Sequence, residues 1–445
     1  MPDSQARPEI ALALARHALS FVRGADQASA SVEVVDAAYS RFARNYVVQN
    51  IGSLGTIVSL TYVKGKRTGS SSTGDVSDAG LRTLAAQASE VAAHVPTDAD
   101  FVSLAKSHSL AGTARSTFEA TAGASPQTRV DKLRPIFARM QRLQLSSSGY
   151  TTTQRNVSAV ANSLGVARAW EGTYAGLELK AIAERTSGYA DYWTRDYAAL
   201  DSAERADLAA SKATVSRDPV DYSPGTYTVI LEPPAFVDCI NNLYYGFSLA
   251  AVKEAQDSWM IDRFGKPVLS PNLTIVDDWS HPLVANRPFD SGGEATRKVT
   301  LVERGIPKGT IASTYVANKY RESPTGHDDY PTNAIVMPGI KSRERLIAET
   351  ERGILISRTW YTRVVDPRTC TITGLTRDGV YLVENGKLTK TLKNFRFFTS
   401  MVAALHDVEL GDTLYRSESS DAPQTLLVPV AKIAQFTLSA QTSFA

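Results

Sequence analysis

Residues 31–36 (SVEVVD), 41–49 (RFARNYVVQ) and 56–64 (TIVSLTYVK) are short runs rich in β-branched and aromatic residues, punctuated by Gly52, Gly55 and Gly65. This pattern predicts an antiparallel meander. On its N-terminal side, residues 8–23 read as a helix with Pro8 in the first turn and Ile10, Leu14 and Ala18 on one face. On its C-terminal side, the polar stretch 68–75 leads to Ser77, which opens a helix carrying Leu81, Leu84, Ala85 and Ala88 on one face. The N-terminal part is therefore a sheet flanked by helices.

Farther out, residues 95–126 are rich in Ala, Ser, Thr and Pro with little periodicity, which predicts a long surface excursion. Residues 127–145 are helical in pattern, and Pro135 is expected to kink or restart that helix. Strand-like runs return at 151–160, 165–170 and 177–184, and an Ala-rich helix begins at Ser202. The segment 216–225 (SRDPVDYSPG) has linker composition. Two domains follow, 1–220 and 221–445. The second opens with a strand at 226–231, then Pro233-Pro234 and an apolar helix at 235–252. Ser342 caps a charged helix, strands are expected at 353–359, 369–375, 379–384, 387–398 and 426–438, and Asn385-Gly386 marks a hairpin turn.

The 445-residue chain is 43% hydrophobic with a net charge of +2, so it can build a sizeable core but has no one-signed field to hold nucleic acid or anionic lipid. Its two cysteines, Cys239 and Cys370, cannot form a disulfide framework and suit a reducing compartment. The N-terminal apolar run, 11–15, is too short for a secretory signal and has Asp3 and Glu9 before it. No apolar run approaches a membrane span. The expected location is cytoplasmic.

Local catalytic motifs are missing. The two closest of the six histidines, His94 and His108, are 14 residues apart, which excludes a helical pair of zinc ligands. No phosphate loop, nucleophile elbow or dinucleotide fingerprint occurs. His327-Asp328-Asp329, in TGHDDYP, reads as a solvated turn rather than a base or metal site. Asp277-Asp278 reads as strand-end capping rather than a carboxylate pair. Cys239, inside an apolar helix, reads as an inert small hydrophobe. Lys387, Lys390, Lys393 and Arg396 change face along one strand and read as a solvated edge.

Several segments resemble, in order, the TldD/PmbA family, whose PmbA branch is also called TldE and was long labelled a modulator of DNA gyrase. They are 58–92 with KGKRTG at 64–69, TIVDD at 274–278, Arg287-Pro288-Phe289-Asp290 with Gly293, LVERG at 301–305, Val365-Asp366-Pro367, and VYLVENGKL at 380–388. The Arg-Pro-Phe-Asp piece leans toward the PmbA branch.

The resemblance implies an α+β fold, a helix-flanked antiparallel N-terminal sheet followed by a mostly antiparallel β C-terminal domain. It also implies a metallopeptidase complex, in which the TldD branch carries a zinc helix of pattern H-E-x-x-x-H plus a cysteine near the C-terminus. In this chain the corresponding positions are Asn241, Asn242 and Gly246, and residues 416–430 contain no cysteine. No catalytic residue and no metal ligand are therefore assigned, and zinc is expected in a TldD-like partner instead. The expected role is a non-catalytic subunit that binds unfolded or extended peptides, as a heterodimer with that partner or as a homodimer. A self-associating peptide-binding scaffold is the alternative; a hydrolase built on Cys239 or the His327 group, and direct gyrase or DNA binding, rank behind it.

Overall fold

The computed structural model describes residues 7–110, 112, 114–419 and 425–442. The N-terminal meander is a six-stranded antiparallel sheet in the order β3-β2-β1-β4-β5-β6, from β1 (Gln27–Ala43), β2 (Tyr46–Lys64), β3 (Arg67–Thr73), β4 (Ser146–Asn162), β5 (Ala167–Ile182) and β6 (Ser187–Thr194). Strands alternate side chains between faces, so Ala30, Val32 and Val34 of β1 turn one way, beneath α1 (Pro8–Leu19) and α2 (Asp78–His94). The face of α1 that packs is Ala11, Ala15 and Ala18, whereas Ile10, expected there, is exposed. Ser77 caps α2 by accepting from Gly80 N at 3.2 Å.

The excursion contributes a short helix α3 (Glu119–Ala122) and buries Phe101, Ala105 and Thr121, so it is more than a surface loop. Next comes α4 (Pro126–Arg142), which runs through Pro135 without ending because Leu133, Ile136 and Met140 are anchored on the sheet. Helix α5 (Ser202–Ala213), capped by Asp201, covers the same face beside it.

The C-terminal half contains two further sheets. Its strands are β7 (Gly225–Leu231), β8 (Ile275–Asp277), β9 (Val299–Glu303), β10 (Ile306–Pro307), β11 (Ala334–Val336), β12 (Arg352–Asp366), β13 (Thr371–Glu384), β14 (Lys387–Thr391), β15 (Phe395–Ser400), β16 (Val408–Leu410), β17 (Tyr415–Glu418), β18 (Thr425–Val428) and β19 (Ala431–Gln441). Strands β12, β7, β19, β15 and β13 follow one another, and β13 pairs back with β12, so this sheet closes into a barrel. The other sheet runs β10-β9-β8-β11-β18-β17. All pairings are antiparallel except β12 with β7 and β11 with β18.

Between barrel and sheet lies α6 (Pro233–Tyr244), whose Phe236, Val237, Cys239, Ile240, Leu243 and Tyr244 are fully buried in one core with residues of both. The helix expected over 235–252 is interrupted. After α6 come a 3₁₀ turn, Tyr245–Phe247, and α7 (Leu249–Lys253), because Ser248 turns extended and Leu249 N donates to Ile311 O at 2.9 Å. That strand-like contact cannot form on a continuous helix.

Glu232, at the junction of β7 and α6, ties the halves together. It accepts from Lys212 of α5 and from Arg343 Nη2 at 2.6 Å, Arg343 being the first residue of α9 (Arg343–Ala348); α8 spans Thr314–Tyr320. Burial alone would raise the Glu232 carboxyl, but the two cations outweigh it and hold it down at about 2. A carboxylate whose folded value lies below its ordinary 4.5 contributes stability above that value, lost as pH falls toward 2. Lys212 is pushed down by burial despite Glu232. Urea unfolding of Glu232→Gln at neutral pH should show a loss of about 3 to 5 kcal/mol, and the variant should lose part of the acid sensitivity below pH 4.5.

Candidate functional site

The polar residues of α6 lie on one side at helical spacing: Asp238, Asn241 and Asn242. Asp238 is 2% exposed and accepts from Thr359 Oγ1 of β12 at 3.0 Å and from Ser419 Oγ at 2.8 Å. Half-buried Asn241 accepts from Tyr330 Oη at 2.9 Å, and Asn242 donates Nδ2 to Asp238 O, one turn back, at 2.7 Å. Gly246 lies beyond α6 in the 3₁₀ turn, pressed against the indole of Trp259: a Cβ there would stand 2.2 Å from Trp259 Cδ1.

These three positions offer no zinc ligand set. An amide already bonded to a phenol, an amide bonded to the backbone and a glycine walled by an indole supply neither imidazole nor carboxylate. Among the described residues, no three His, Cys, Asp or Glu side chains converge as a metal cage would.

The second face of the N-terminal sheet brings charge to the same junction. Tyr174, Glu178 and Lys180 alternate with the buried Ala175, Leu177 and Leu179 on β5 and meet the C-terminal half. Tyr174 Oη donates to Glu418, Lys180 pairs with Asp378, and Arg358 lies 3.5 Å from Asp378 and 4.0 Å from Glu178. Arg358 also sits 4.8 Å over the Tyr189 ring. Burial raises the carboxyls of Glu178 and Glu418, and burial with Glu178 nearby lifts Asp191 to about 7. These groups escaped the sequence reading, although charged and aromatic residues alternating with apolar ones on a two-sided strand were a usable signal.

His327 is fully buried rather than part of a solvated turn. Its Nε2 lies 3.0 Å from Asp277 Oδ1, off-line for a hydrogen bond, and its Nδ1 is 3.0 Å from Thr325 Oγ1. The backbone crosses close to Ala295 at Gly326, which has φ +72° and where a Cβ would meet Ala295 O at 2.2 Å. The line of hydroxyl, imidazole and carboxylate is structural, since Thr325 Oγ1 also contacts Ala312 N and O and the imidazole has no exposed surface. Asp277 additionally accepts from Asn333 N at 2.9 Å, so it is a buried partner rather than only a strand cap. Asp278 does cap, accepting from Ser280 and pairing with Lys298 at 2.8 Å. Asp328 accepts from Ser291, and Asp329 accepts from Ser313 N at 2.7 Å. Nearby, burial and Asp328 lift Asp290 of the Arg-Pro-Phe-Asp segment to about 7. Burial pushes the thiol of Cys239 far up and that of Cys370 to about 12, so neither is a ready nucleophile.

Residues 111–217 match the central domain, and residues 224–435 the C-terminal domain, of the PmbA/TldA metallopeptidases. The chain belongs to the TldD/PmbA family. It is 24% identical over 260 residues to the metalloprotease PmbA of Escherichia coli O157:H7, a match covering 56% of each chain, so it spans just over half the length of that relative. It is 25% identical over 404 residues to the metalloprotease PmbA homolog of Haemophilus influenzae, covering 84% of this chain and 85% of that one. In fold it is similar to TldE from Thermococcus kodakarensis, with a TM-score of 0.85, 20% identity, and coverage of 96% of this chain and 99% of that one. Among the described residues no helix is long and apolar enough to cross a membrane.

The Trp259 wall bears on whether a zinc helix could be restored. Asn241→His should melt within a few degrees of the parent, whereas Gly246→Ala should lose about 1 to 3 kcal/mol, read by urea unfolding, because a methyl group must displace a packed indole. Asn241→His/Asn242→Glu/Gly246→His should be less stable still.

Proposed function

We propose that this chain is a catalytically silent, PmbA/TldE-type subunit that assembles in the cytoplasm with a TldD-like zinc metallopeptidase and helps it bind and process unfolded or extended peptides. The reading is supported by α6, which lies centrally between barrel and sheet, together with the family resemblance, which sets Asn241, Asn242 and Gly246 against the H-E-x-x-x-H positions of the peptidase branch. The absence of cysteine from residues 416–430 supports it. An extended peptide can add to a sheet edge through main-chain hydrogen bonds with little sequence preference.

Mixing the purified chain with a TldD-like subunit from the same host should give a stable heterodimer by light scattering, and cleavage of an unfolded peptide should require both proteins. Chelator-sensitive cleavage by this chain alone would overturn the pseudo-enzyme reading. A homodimer that captures no peptidase would favour the scaffold alternative.

A further inference from the structure

A cavity of about 460 Å³ opens between β6 and the C-terminal half, away from the three degenerate helix positions. Its walls include Phe118, Tyr192, Pro282, Leu283 and Tyr415, so much of the lining is apolar or aromatic. Its volume falls in the range of small-ligand sites, about 300 to 1,000 Å³.

The cations on this wall are of two kinds. Lys212 and Arg343 share Glu232, Arg343 also lies 3.5 Å from Glu344, and Arg205 pairs with Glu204. Arg195 and Arg416 stand apart: among the described residues neither forms an ion pair, and their guanidinium bonds go to carbonyls. Arg195, 5% exposed, donates to Val284 O at 2.7 Å and to Arg115 O. Arg416 donates to Leu283 O at 2.9 Å, lies 5.4 Å over the Tyr174 ring, and leaves its buried Nε without a partner. The two charges feel each other: burial, Arg416 and Arg115 lower Arg195 to about 10. Glu418, two residues beyond Arg416, accepts from Tyr174 and acts on Arg416 as a nearby charge without pairing with it.

Two guanidiniums on one wall, Arg195 buried and Arg416 half-buried, have no ion-pair partner among the described residues, and carbonyl dipoles offset only part of the cost of desolvating a cation. A guanidinium suits a carboxylate geometrically, and the apolar walls suit an acid with an apolar body better than a strongly hydrated phosphate. We infer that the cavity between β6 and the segment around Leu283 and Arg416 is a carboxylate-binding site, and that its occupant is the free C-terminus of a peptide ending in an apolar residue. The identity of that occupant rests on the peptide-binding reading above; the existence of a carboxylate site does not.

Isothermal titration of the full chain with N-acetyl-L-phenylalanine, its C-terminal amide and inorganic phosphate tests this directly. The acid should bind at least about tenfold more tightly than the amide, as expected for a charge-assisted contact, and phosphate should bind no better than the amide. In Arg416→Gln, with cooperative melting as the folding control, the acid and the amide should become equal. Equal binding of acid and amide to the unsubstituted chain, or phosphate binding more tightly than the acid, overturns the inference even if Arg416→Gln does not fold. An unfolded peptide and its C-terminal amide separate the two readings. If both bind equally and the small acid shows no preference, the carboxylate site falls and peptide binding stands. If the small acid is preferred but neither peptide binds, the site stands and the peptide reading falls.

Discussion

The ion triad of Glu232, Lys212 and Arg343 is the constraint on which the arrangement turns. Glu232 closes strand β7 and opens helix α6, Lys212 reaches it from α5 over the N-terminal sheet, and Arg343 reaches it from α9. One carboxylate thus fixes where the N-terminal helices sit relative to the barrel and sets the start of the central helix. Its own burial is unfavourable, and only two cations with well-placed hydrogen bonds make it tolerable. A buried triad of this kind specifies geometry more than it adds stability.

From that junction the site follows. With α6 started at Pro233, its apolar residues fill the space between barrel and sheet, and Asp238, Asn241 and Asn242 are left on the remaining side. Asp238 is engaged by β12 and by the residue after β17, so the polar side of the helix is stitched to both C-terminal sheets. The N-terminal sheet adds Glu178, Lys180 and Tyr174 at the same junction. The polar residues on this helix thus bond to the protein itself.

Much of the local structure was legible. Asn385 and Gly386 both have positive φ, 50° and 75°, and Glu384 pairs with Lys387 across them, as a two-residue hairpin requires. Ser77 and Ser342 cap the helices they were expected to cap. What was not legible depends on partners far away in the chain. The break after α6 comes from Ile311, the burial of His327 comes with Asp277 beside it, 50 residues earlier, and barrel closure needs β12 beside β7 in parallel. Helical periodicity reported the apolar content of α6 but not the indole of Trp259 that shapes its end. Asn241, Asn242 and Gly246 could be singled out only through the family resemblance, since nothing in an asparagine pair or a glycine by itself points to a metal.

The central proposal is that α6 takes the place of a zinc peptidase's metal helix without its ligands. Metal analysis of the untagged chain after dialysis against micromolar zinc tests it most directly. The account predicts far less than one zinc per chain, unchanged in Asn241→Ala. One tightly held zinc per chain, lost in Asn241→Ala, would contradict it.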